Sequence, residues 1–262
     1  MKFLAKWRVR KPADDSETVY VSERYGVRSL HIGSDTIQSS MRLARPNDLE
    51  LSYTRSMMAF LLFVPPPADV LMIGLGGGSL AKFAYHRLSV TRTRVVEVSP
   101  RVVAIARQYF HVPQDDPRFE VILADAAGYV RRDNIRTDIV VVDGYAADSH
   151  VEELASYDFY AACRDRLKPG GMIVVNLWGG DKLFHTLLQR IRLAFPGGTL
   201  CLPAERPGNV IVFGYERAAG PLPWSDLAGR AEQLQAAHGL EFPRFVEGLR
   251  KMNRHDTEQL YP

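Results

Sequence analysis

Near the middle of the chain, Gly74-Leu75-Gly76-Gly77-Gly78-Ser79 has the make-up of a loop that lies against a polar ligand. Glycine accepts left-handed backbone and lets the main chain approach a bound group, and a helix starting beyond the loop presents unpaired N–H groups. The next β-branched run ends in Glu97, 23 positions after Gly74. A carboxylate at that place suits the two hydroxyls of a ribose. A third run is followed by Asp125-Ala126, and a fourth ends in Asp143. Three carboxylates at the carboxyl ends of successive strands define one crevice, which is where open α/β sheets bind ligands. The pattern points to a ligand containing a nucleoside.

The type of nucleoside follows from charge. The glycine loop lacks the final in-register glycine of G-x-G-x-x-G, and Asp125 and Asp143 would crowd a pyrophosphate, so a dinucleotide fits poorly. An adenosine carrying a positive sulfonium gains from an acidic rim. This favours S-adenosylmethionine or its decarboxylated form.

The elements that hold these residues can be read from periodicity. Continuous apolar runs occur at Asp69–Ile73, Arg94–Val98, Phe119–Leu123, Asp138–Val142, Met172–Asn176, Thr199–Leu202 and Val210–Phe213, with helical patterns between most of them. Such runs indicate an α/β fold, a Rossmann-like seven-stranded sheet covered on both faces. The Pro/Gly-rich turn before the last run suggests an antiparallel edge. Ahead of the sheet, 18–22 and 27–32 alternate with period two around turns at 24–26 and 33–35, a small antiparallel β-hairpin unit. Leu49 to Leu61 has helical spacing and stops at Pro65-Pro66-Pro67. Three regions result: an N-terminal β unit over 1–48, a nucleoside-binding catalytic domain over 49–217, and a helical extension over 218–262.

Composition narrows the class. The 262 residues are 46% hydrophobic and 24% charged, which excludes disordered and collagen-like chains. A net charge of +3 is too small to argue for nucleic acid. Cys163 and Cys201 lie far apart and suggest neither zinc nor a disulfide framework, and no metal is expected. The first ten residues do not read as a secretory signal, and the longest apolar run, Met57 to Val64, is well short of a membrane span. A cytoplasmic protein with no membrane partner is expected.

From about Val21 to Tyr215 the chain resembles the spermidine synthases, the polyamine aminopropyltransferases. The segments that carry the resemblance are Ser22-Glu23-Arg24-Tyr25-Gly26, 35–40, Val70 to Gly78, Val96-Glu97-Val98-Ser99-Pro100, 116–121, Asp125-Ala126, Asp138 to Asp143, and Phe159-Tyr160. The resemblance implies the S-adenosylmethionine-dependent methyltransferase fold with an added N-terminal β unit. It also implies an aminopropyl transfer to a small-molecule amine acceptor, with methylthioadenosine as product, and a homodimer. Gln38, Gly74, Gly76, Gly77, Gly78, Ser79, Glu97, Val98, Asp125 and Ala126 would hold the donor, with Asp143 at the place of the catalytic aspartate. Tyr53, Tyr145 and Asp148 would face the acceptor.

The departures from the family pattern bear on substrate. Ser79 stands where the glycine loop continues with aspartate, Ser99 replaces an acidic residue, and Tyr53-Thr54-Arg55 replaces Tyr-His-Glu. The catalytic loop Asp-Ser-Ser/Thr-Asp-Pro is here Asp143-Gly144-Tyr145-Ala146-Ala147, with Asp148 two positions beyond the missing aspartate. Losing carboxylates that meet cationic amines predicts a poor response to putrescine and a relaxed preference for the decarboxylated donor. A methyltransferase and a non-catalytic nucleoside-binding homologue are the alternatives. Among side chains outside the motif, Lys82 reads as an exposed helix lysine, His150 as a solvated loop residue, and Trp178 as a residue of the same rim.

Overall fold

A computed structural model describes residues 19–88, 92–132, 136–144, 153–204 and 208–262. The N-terminal unit has three antiparallel strands in the order β1 (Val19–Arg24), β2 (Val27–Ile32) and β3 (Ile37–Arg42). The third, which the alternation did not single out, carries Gln38 in Ile37-Gln38-Ser39-Ser40-Met41-Arg42, where only the inward Met41 is a large buried apolar residue. Helix α1 (Ser52–Met57) follows and tightens into a 3₁₀ turn at Met58–Leu62.

The central sheet comprises β4 (Asp69–Ile73), β5 (Arg92–Glu97), β6 (Phe119–Leu123), β7 (Thr137–Val142), β8 (Leu167–Trp178), β9 (Thr199–Pro203) and β10 (Asn209–Tyr215), in the order β6-β5-β4-β7-β8-β10-β9. Alternate residues serve opposite layers. Val70, Met72, Val95, Ile139, Val141 and Val174 enter one core, whereas Leu71, Ile73, Val96, Val140, Val142 and Val175 enter the other. That two-sided burial is why the strands read as unbroken apolar runs. The antiparallel edge expected from the Pro/Gly-rich turn is present: β10 is antiparallel to both β8 and β9, and β9 is the outermost strand. A short return from β9 pairs β10 back onto it, while the other edge of β10 takes the long β8.

Helices α2 (Ser79–Arg87), α3 (Pro100–Tyr109), α4 (Ala126–Arg132), α5 (Tyr157–Asp165) and α6 (Phe184–Ala194) connect the strands. Ser99 caps α3 by accepting from the Val102 N–H at 3.3 Å, and Pro100 opens the helix. Lys82 is buried rather than exposed, only 1% accessible. Its Nζ donates to the Pro46 carbonyl at 2.7 Å and the Phe110 carbonyl at 2.6 Å, with Met41 Sδ at 3.2 Å. The N-terminal unit packs over α2 at this point, which removes the lysine from water and lowers it to about 8.

Beyond the sheet lie α7 (Trp224–His238) and α8 (Phe242–Leu249), with β11 (Leu222–Pro223), β12 (Arg254–His255) and β13 (Gln259–Tyr261) in a small sheet ordered β11-β13-β12. Strands of two or three residues are too short to leave a period in the sequence. Trp224, Leu227, Phe242, Phe245 and Leu260 join the same core as Leu202 and Phe213.

Candidate active site

The sheet order makes β6, β5, β4 and β7 neighbours, so their carboxyl ends form one continuous rim. At its centre the glycine loop is held close to the end of β7. Gly74 has φ +92°, and a Cβ there would stand 2.6 Å from the Asp143 carbonyl oxygen. Gly78 ends the loop with φ +68°, and a Cβ there would stand 2.3 Å from Val112 Cγ2. Only glycine meets both demands. The Asp143 N–H in turn donates to the Ile73 carbonyl at 3.0 Å, so β4 and β7 deliver the loop and the aspartate together.

Glu97 is fixed by main chain. Its Oε2 accepts from the Leu75 N–H at 3.0 Å and its Oε1 from the Ser99 N–H at 2.9 Å. Beside it, the Ala124 N–H donates to the Glu97 carbonyl at 3.1 Å, which carries the rim on to Asp125. Asp125 is exposed, and its Oδ2 accepts from the Gly128 N–H at 2.6 Å at the start of α4, where Ala126 is buried. Val98 is 70% exposed, and Leu123, paired with Glu97 across β5 and β6, is 56% exposed. Two bare aliphatic side chains beside a backbone-fixed carboxylate fit the flat base and ribose of an adenosine. Leu123 is a candidate that the motif reading missed, because an apolar residue within a strand reads as core.

Asp143 is held differently. Its Oδ1 accepts from Asn176 Nδ2 at 2.9 Å, and Asn176 Oδ1 accepts from Asn209 Nδ2 at 2.9 Å. The Tyr53 hydroxyl lies 3.3 Å from both Asp143 Oδ2 and the Gln38 carbonyl, either of which can take its proton. Burial raises the Asp143 carboxyl above its ordinary range, while the donors Asn176 and then Tyr53 act against that rise. Burial, and next the Asp143 charge, push the Tyr53 phenol well above its ordinary value, so it stays a donor. Asn176 and Asn209 were not singled out from the sequence, since Asn176 is the one polar residue at the end of an apolar run and Asn209 closes the turn before the next run.

The remaining candidates separate. Ser79, the first residue of α2, is buried; its hydroxyl lies 3.2 Å from Ser39 Oγ and donates to the Ser40 carbonyl at 3.4 Å. It is occupied by β3. Gln38 is half-buried on β3, and Trp178 is exposed at the end of β8. Tyr145 and Asp148, together with Ala146 and His150, lie outside the described residues. Among the described residues no group of three or more His, Cys, Asp or Glu could hold a metal ion, and no helix is long and apolar enough to cross a membrane.

Residues 50–214 match the Spermine/spermidine synthase domain. The chain is 40% identical over 253 residues to a polyamine aminopropyltransferase of Chromobacterium violaceum, covering 97% of each chain. The chain belongs to the spermine/spermidine synthase family. A polyamine aminopropyltransferase of Neisseria meningitidis serogroup A is 38% identical, again over 97% of both chains. Among solved structures, a spermidine synthase in complex with the transition-state analogue AdoDATO superposes with a TM-score of 0.72 at 20% identity, over 92% of this chain and 84% of that one. Human methyltransferase-like protein 13 in complex with SAH superposes at 0.64 and 23% identity, over 79% of this chain and 96% of that one. The two neighbours support the fold, a seven-stranded methyltransferase-like sheet, and family membership makes the chain a transferase. Within this family pattern Arg55, where glutamate is expected, donates through Nε to Glu241 Oε1 at 2.7 Å and so ties α1 to the C-terminal extension.

Proposed function

We propose that the protein transfers an aminopropyl group from decarboxylated S-adenosylmethionine, or a related group from S-adenosylmethionine, to a small amine, with Asp143 as the base. When bound, the donor supplies a carbon activated by the neighbouring sulfonium. Glu97 grips the ribose, Val98 and Leu123 flank the base, and Asp125 with the amino end of α4 borders it. Gln38 and the glycine loop complete the cradle. Asp143 accepts the proton that the attacking amine must lose, a contribution of about 10²–10⁴-fold in such reactions. Asn176 and Tyr53 keep the carboxylate oriented, and Tyr53, Tyr145 and Asp148 border the acceptor. The observation that carries this reading is the half-buried Asp143, bonded through both oxygens and backed against Gly74.

Putrescine is expected to be a poor acceptor. Position 79 offers a neutral hydroxyl already bonded to Ser39 and Ser40, so no carboxylate there meets an amine or rejects the carboxylate of S-adenosylmethionine. The family resemblance favours a homodimer. The test is release of methylthioadenosine with each donor and a panel of amines. Release that requires an amine, with a longer amine product, supports transfer. Methylation of the amine by S-adenosylmethionine, or a thermal shift with methylthioadenosine and no turnover, would replace this reading. Ordinary turnover with putrescine removes the acceptor argument.

A further inference from the structure

A cavity of about 780 Å³ opens between the segment after β3, helices α1 and α2, and the turn from α7 to α8. Five arginines line it: Arg42, Arg45, Arg55, Arg87 and Arg244. Its three carboxylates are already engaged. Glu50 takes both Arg42 Nε at 3.0 Å and Nη2 at 2.5 Å, and Glu241 takes Arg55 at 2.7 Å. Asp48 is shared between Arg45 at 3.4 Å and Arg87 at 3.0 Å. The lining therefore carries two more positive than negative charges. His238, in the same wall, adds none, because burial and then Arg87 push its imidazole below the ordinary range. Its ring lies 6.3 Å from that of Phe83, which with Leu49 and Leu240 gives the cavity an apolar part.

This charge is opposite to what an amine substrate or a sulfonium donor needs, so the cavity is not an extension of the reaction crevice. Guanidinium groups match phosphate oxygens two at a time, and a cavity of this size accepts more than a single phosphate. We propose that it binds a polyphosphate anion, free or esterified to a nucleoside. Arg45 and Arg87 are the exposed pair that would turn from their shared Asp48 to the ligand, while Arg42 and Arg55 stay anchored by their own carboxylates.

The test is calorimetric titration of the full-length protein with inorganic tripolyphosphate at low and moderate salt, then with ATP. Saturable one-to-one binding that weakens with salt is expected, with a change in the His238 ring signal by NMR. The Arg45→Gln/Arg87→Gln double variant, whose sites are exposed and pair with Asp48 rather than with any group that holds Asp143, should bind at least tenfold more weakly while keeping its melting temperature within a few degrees. Asp48→Asn removes the competing carboxylate and should bind several-fold more tightly, a gain that loss of structure does not produce. Tighter binding of ATP assigns the nucleoside form, and equal binding the inorganic form. The proposal is overturned by no saturable binding at low salt, by an equal response to sulfate at matched ionic strength, by wild-type affinity in the double variant, or by weaker binding in Asp48→Asn.

Discussion

The two halves of the rim hold their carboxylates by different means. On the side of β5 and β6, Glu97 is gripped by the main-chain N–H groups of Leu75 and Ser99, and Asp125 by that of Gly128. On the side of β7 and β8, Asp143 is gripped by side chains, Asn176 and Tyr53, with Asn209 behind. A backbone grip needs only the right loop, so it comes with the glycine motif and keeps its geometry while neighbouring residues change. A side-chain grip depends on particular residues far apart in the chain, and each can alter the proton affinity of the group it holds. The first arrangement suits recognition of a constant ligand, and the second suits tuning of a base.

Five substitutions probe that contrast. The largest effect is expected for Asp143→Asn, with kcat reduced about 10²–10⁴-fold. The same change should raise the melting temperature at neutral pH. Burial lifts the folded carboxyl above its ordinary value, so the folded chain binds that proton more tightly than the unfolded chain. The aspartate then costs stability increasingly as pH rises from about 3.9 through the lifted value, and asparagine does not carry that cost. A variant with lower stability at pH 7 would contradict the assignment. Next comes Glu97→Gln, which loses a charged acceptor from two N–H groups and is expected to weaken methylthioadenosine binding by about tenfold or more, since hydrogen bonds to charged groups contribute about 1.5–3 kcal/mol. Calorimetry measures this, and the acid limb of the rate profile should stay in place. The third is Asn176→Leu, where the opposite pattern is expected: near-normal nucleoside affinity, but an acid limb of kcat/KM moved to higher pH, because the main group that lowers Asp143 is gone. Tyr53→Phe should move that limb in the same direction by less. The smallest effect is expected for Asn209→Leu, which acts on Asp143 only through Asn176 and should reproduce part of the Asn176→Leu shift. An Asn176→Leu variant that weakens nucleoside binding but leaves the pH profile unchanged would erase the distinction between the halves.

The same contrast explains what could be read in advance. The strands, the glycine loop and the three rim carboxylates were visible because two-sided burial forces continuous apolar runs and a tight turn forces glycine. The family resemblance supplied Gln38, Ala126 and Tyr53. Asn176 and Asn209 stayed hidden because their roles depend on β10 entering the sheet beside β8, a pairing that neither residue's local sequence encodes. Lys82 was misjudged for a related reason. Spacing along α2 marks a polar residue near a helix start, whereas its burial is decided by the N-terminal unit packed over it. Of the cavity arginines, Arg55 alone stood in a motif position, and the cluster stayed hidden because its segments meet only in three dimensions.

The late arrival of β10 has a consequence for how the enzyme is made. Asn176 follows Asp143 by 33 positions and Asn209 follows Asn176 by another 33. Ribosomes add about 5–20 residues per second. The aspartate therefore emerges seconds before its outermost support, and a product terminated ahead of residue 209 would display every recognisable signature while Asp143 lacked the last brace.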